Sequence, residues 1–165
     1  MTGVDAEWEQ RITDLWTEID DHGEEEFVAL VESLTAELPP GSAIALFERA
    51  AAFDSTGRAD RAVPLYEAAL DAGLDGERRR RAVIQMASSL RNLGQAQEAV
   101  AMLTAELDAT ADALDGAVRA FLALALADVG REREAVSVAL TALSGYLPRY
   151  NRSLAYYAQE LTGSR

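Results

Sequence analysis

The sequence predicts an all-α fold, a solenoid of about nine helices arranged as four hairpins and a closing helix, and two patterns predict it. The first is a register of glycines: Gly23, Gly57, Gly94 and Gly130 stand 34, 37 and 36 residues apart. Fixed offsets from them repeat in character. Four residues before come Ile19, Phe53, Leu90 and Leu126; six after come Ala29, Val63, Val100 and Val136; thirteen after come Ala36, Leu70, Leu107 and Leu143. Self-similarity at a period near 34 is the mark of stacked helical hairpins, each of which buries its apolar face only against its neighbours. The second pattern is the helical spacing of apolar residues between the glycines, with matching connectors Leu74-Asp75-Gly76 and Leu114-Asp115-Gly116.

The elements follow in order. Trp8, Ile12, Leu15, Trp16 and Ile19 make one apolar stripe on a first helix over about 5–20. Its partner starts after Gly23, where Glu24 to Glu26 suit the positive end of a helix dipole, and runs to Pro39-Pro40-Gly41. Ser42 is the expected N-cap of the next helix, about 42–56, with Leu46, Ala50 and Phe53 inward. A helix over about 59–72 follows, with Pro64 near its start. Asp75 and Asp115 are the expected N-caps of helices over about 76–93 and 116–129, the second apolar almost all round. Gly145 and Pro148 end the last hairpin. Tyr146, Tyr150, Leu154, Tyr157 and Leu161 mark a closing helix, expected to dock Tyr150, Leu154 and Tyr157 over Ala139 and Leu143. The expected divisions of this single domain are 1–38, 43–73, 76–110, 116–145 and 149–162.

Composition narrows the chemistry. The chain has no cysteine, and all 15 of its basic residues are arginine, which excludes thiolate, disulfide and lysine Schiff-base chemistry. The net charge of −13 is concentrated: residues 1–37 hold 12 acids and the single Arg11. An acidic chain of this kind is not expected to bind nucleic acid, where phosphate neutralisation dominates. The longest apolar run, Ala120 to Ala127, is far too short to cross a bilayer, and the amino end has no basic-then-apolar leader, so a cytoplasmic location is expected. His22, the one histidine, reads as a solvated turn residue, and Asp20, Asp21 and His22 match no metal motif. Asp108, Asp112 and Asp115 read as solvated carboxylates around a helix end. No catalytic, cofactor or metal site is expected.

GRADRAVPLYEAAL (57–70), GQAQEAVAMLTAEL (94–107) and GREREAVSVALTAL (130–143), with the small pairs Ala50/Ala69, Ala87/Ala99 and Ala123/Ala142, resemble the tetratricopeptide repeat family. The first unit is degenerate, with Trp16 where a small residue is expected. AALDAGLDGERRRRAVIQMASSLRNLG and the closing LPRYNRSLAYYAQEL look like its bacterial group-5 type subfamily. The resemblance covers about 43–162 and implies a right-handed α-α superhelix that binds proteins or peptides, without chemistry of its own.

The run Arg78–Arg81 places four cations in the first turn of a helix, against its dipole. Its plain reading is a solvated face. Its functional reading comes from spacing: Arg78, Arg81, Gln85, Ser88 and Asn92 fall 3, 4, 3 and 4 apart, one polar stripe. The resemblance puts such a helix on the concave groove, with Phe47 and Ala51 of the preceding helix and Phe121 and Leu124 of the following one as neighbours. These nine residues are the expected partner-binding set, and an acidic peptide or a C-terminal carboxylate is the expected partner chemistry. The family's carboxylate-clamp pattern of Lys and Asn is absent. The rival expectation is a structural homo-oligomer, at simplest a homodimer, whose groove is self-filled.

Overall fold

Each of three register glycines closes its helix in the same way. Gly57, Gly94 and Gly130 have φ of 75°, 82° and 77°, the left-handed conformation that costs glycine nothing. The next residue's N–H then reaches back to the carbonyl of the apolar residue four before the glycine: Arg58 to Phe53 at 2.8 Å, Gln95 to Leu90 at 2.8 Å and Arg131 to Leu126 at 2.9 Å. This is the Schellman closure, and it explains why the offsets on both sides of the glycine repeat. A further one, unforeseen in the sequence, lies at Gly73, where the Leu74 N–H bonds the Ala69 carbonyl at 3.0 Å.

A computed structural model describes residues 4–109 and 111–163. Among these are nine α-helices and no strand: α1 (Ala6–Thr17), α2 (Glu24–Thr35), α3 (Ala43–Ser55), α4 (Ala59–Asp71), α5 (Gly76–Asn92), α6 (Ala96–Ala109), α7 (Asp115–Asp128), α8 (Glu132–Ser144) and α9 (Asn151–Glu160). Consecutive helices pack in the manner of an all-α helical repeat. The chain forms two compact units, with the boundary between Ala82 and Val83 inside α5. The expected division ending at residue 110 touches a position outside the described residues.

In the first unit α1 packs on α2, α2 on α3 and α3 on α4. Trp8, Ile12, Phe27, Val31, Phe47, Phe53 and Tyr66 form its core. Burying each such side chain contributes about 1.5–3 kcal/mol. The Trp8 indole N–H donates to the Leu34 carbonyl at 2.9 Å, and Trp16 meets Phe27 edge-on at 5.0 Å. Arg11 grips Glu37 with both Nη atoms and holds that carboxyl below its ordinary pKa. The first turn departs from the register. A 3-10 turn over Ile19–Asp21 reverses the chain, leaving Gly23 at φ −69° as the extended N-cap of α2.

The second unit packs α6 on α7, α7 on α8 and α8 on α9. Val100, Leu103, Val118, Leu122 and Leu126 lie in its core. Ser42 caps α3 as expected, its Oγ accepting from the Ala45 N–H at 3.4 Å. Asp115 corrects its expectation: it is the first residue of α7 and no side chain caps that helix. Its Oδ1 instead accepts from the Asp112 N–H, while Asp112 Oδ1 accepts from Leu114, so both acids act as turn formers. The closing helix also corrects its expectation. α9 docks through Ala158, fully buried, whose carbonyl accepts from Ser137 Oγ at 2.6 Å. Tyr150 and Tyr157 are exposed, as are Ala139 and Leu143, which they were expected to cover.

Candidate partner-binding surface

The arginine run at the start of α5 separates into different environments. Arg78 is clasped. Its Nη1 and Nη2 donate to the two oxygens of Glu9 at 2.9 and 2.6 Å, and its Nε donates to Glu48 Oε1 at 3.0 Å. The second Glu48 oxygen accepts from the Trp16 indole N–H at 2.8 Å. Glu48 is buried with both oxygens bonded, which answers the desolvation of its charge. The hydrogen bonds that Arg78 donates to Glu9 raise its pKa above its ordinary value, against the effect of burial, with the Glu48 charge adding to it. One of the expected helix-dipole conflicts, that of Arg78, is thereby eased, because α1 and α3 bring anions to the amino end of α5.

Arg80 is the opposite of a solvated cation, at 2% exposure. Arg81 is the exposed one. Its guanidinium lies 5.3 Å above the Phe47 ring, in cation–π range, and it makes no ion pair among the described residues. Phe47 itself is fully buried against Tyr66, ring centroids 6.2 Å apart, and Ala51, about one turn further along α3, is buried too. Neither offers surface to a partner, a correction to the expected groove lining. Their side of α3 faces the core of the first unit. Tyr66 donates to Asp54 at 3.4 Å, and burial raises its phenol pKa.

In the second unit Asn92 and Leu124 are exposed, and Gln85, Ser88 and Phe121 are half-buried. An ion pair between Arg91 Nε and Asp128 Oδ2 ties α5 to α7, the helices that carry these residues. Gln85 Oε1 is enclosed and has no hydrogen-bond partner among the described residues. So Gln85, Ser88, Asn92, Phe121 and Leu124 keep accessible or unsatisfied groups, whereas Phe47 and Ala51 are buried and Arg78, though partly open to water, is held by Glu9 and Glu48.

Glu9, Glu48 and Trp16 were missing from the expected set. Glu48 left one trace in the sequence: an acid at helical spacing from Ile44 and Ala52, within an apolar stretch. Elsewhere, the ring nitrogens of His22 stand 3.9 and 3.7 Å from Glu18 and Glu26, at the edge of a cleft of about 240 Å³ lined also by Ile19, Phe27 and Thr56. Among the described residues no group of three or more His, Cys, Asp or Glu side chains could hold a metal ion. No described helix is long and apolar enough to cross a membrane.

The family model described as tetratrico peptide repeat matches residues 43–161, well over half of the chain. Repeats of this kind generally mediate protein–protein interaction and are generally non-catalytic. No curated protein and no solved structure matches the chain.

Proposed function

Because the chain belongs to the tetratricopeptide repeat family, we propose that it is a non-catalytic scaffold that binds a protein or peptide along α5. The contact in the first unit is Arg81; in the second unit Gln85, Ser88 and Asn92 of α5, with Phe121 and Leu124 of α7, offer a contact surface of their own. The observation that supports this reading is Arg81, an exposed cation of the run held over an aromatic ring without an ion pair. A guanidinium presented in this way forms forked, charge-assisted hydrogen bonds with a carboxylate, which suits an acidic peptide or a free C-terminus. Arg78 is set aside from the contact because Glu9 and Glu48 hold it.

The test is fluorescence anisotropy with labelled Glu-rich peptides, one with a free and one with an amidated C-terminus. The free form is expected to bind more tightly, and Arg81→Glu to lose binding with an unchanged melting temperature. No binding by either peptide, or binding indifferent to Arg81→Glu, would overturn the reading.

A further inference from the structure

The last hairpin leaves open a face that the earlier hairpins cover. Counted from the register glycines, position six is Val63, Val100 and Val136, with exposures of 9%, 5% and 48%. Position nine is Tyr66 and Leu103, both buried, then Ala139, exposed. Position thirteen is Leu70 and Leu107, both half-buried, then Leu143 at 49%. In a helical repeat these positions are covered by the neighbouring unit. α9 does not cover them, because it docks on the Ser137 side of α8 through Ala158.

The open face of α8 is a continuous stripe: Glu132, Val136, Ala139 and Leu143 fall 4, 3 and 4 apart and all are exposed, and exposed Tyr146 follows in the turn after the helix. It has a symmetric layout. Small Ala139 stands at its middle, with Val136 and Leu143 on either side. An acid, Glu132, begins it, and Arg149 lies just beyond its other end. Neither charge makes an ion pair among the described residues.

We propose that this stripe is a self-association surface on which a second copy of the chain docks its own α8 in antiparallel fashion. The two-fold arrangement sets Ala139 against Ala139, where the lack of bulk lets the helices approach, and Val136 against the other copy's Leu143. It also brings each Glu132 to the other copy's Arg149, so the charges complement one another at both ends. A helical stripe of about 17 Å at about 1.5 Å per residue belongs with small, reversible interfaces, so the dimer forms with rising concentration. This inference is independent of peptide binding along α5, since the two are read by separate measurements.

Sedimentation velocity over a concentration series tests it. The wild-type chain is expected to pass from monomer to dimer, and Leu143→Glu to remain monomeric with unchanged helicity and melting, since Leu143 is not a core residue. Glu132→Arg and Arg149→Glu are each expected to lose the dimer alone, and an equal mixture of the two to regain it. A wild-type chain that is monomeric throughout would overturn the proposal, as would a dimer that survives Leu143→Glu. Failure of the mixture to regain the dimer would overturn the antiparallel register.

Discussion

Glu48 connects three helices through one side chain: it lies on α3, accepts from Trp16 of α1, and pairs with Arg78 of α5. Removing one partner of a buried ion pair leaves the other charge uncompensated, and the loss can reach about 3–5 kcal/mol. Arg78 is partly open to water, so the expected loss for Glu48→Ala is smaller, about 2 kcal/mol. Trp16→Phe keeps the ring beside Phe27 and removes only the indole donor, for an expected loss of about 1 kcal/mol. Denaturant unfolding of the two variants checks the order; a Glu48→Ala chain as stable as wild type would contradict the clasp. The acid was legible only as an anomaly in an apolar stretch. That Trp16 and Arg78 converge on it was not legible, because they are 32 and 30 residues away in sequence.

At the level of the element, the glycines of the register do not share one job. Gly94 ends α5 in the left-handed region, where any side chain is strained, whereas Gly23 begins α2 in an extended conformation open to every residue. Gly94→Ala is therefore expected to cost about 1 kcal/mol. Gly23→Ser is expected to leave stability unchanged or to raise it by a few tenths of a kcal/mol, since serine is at least as good as glycine at an N-cap and the extended backbone there accepts it. Thermal melts of the two single variants separate these outcomes, and equal losses would mean the first turn also closes through its glycine. The Leu-Asp-Gly connectors diverge in the same way: Gly76 has φ +59°, while Gly116 does not have a positive φ and instead lies under the Tyr146 ring. Sequence identity over three residues did not carry conformation, because the chain on either side of the connector sets it.

Across the molecule, exposure is distributed by what each helix packs against. α9 is tyrosine-rich, yet its anchor on α8 is Ala158, small enough for the two helices to touch and for Ser137 to bond its carbonyl. Ala158→Glu would put a charge in that contact and is expected to lower stability by about 3 kcal/mol. Tyr157→Ser, at an exposed position, is expected to stay within about 0.5 kcal/mol of wild type. Differential scanning calorimetry of both variants distinguishes an alanine anchor from an aromatic lid; the reverse ranking would restore the lid.

The sequence by itself determined the helices, the repeat and three of its glycine turns. These depend on local physics: apolar spacing near 3.6, a cap such as Ser42, and glycines that alone adopt the left-handed closure cheaply. It also marked α5 as unusual, since four adjacent arginines are visible without a structure. Which of those arginines meets solvent was decided only by tertiary packing. Helical spacing places side chains around one axis and says nothing of what stands opposite, so Arg78, Arg80 and Arg81 shared one expectation and received three environments. The same holds for Val63, Val100 and Val136: identical residues at an identical register position, covered twice and open the third time, because cover comes from the neighbouring helix and not from the residue's own place in the repeat.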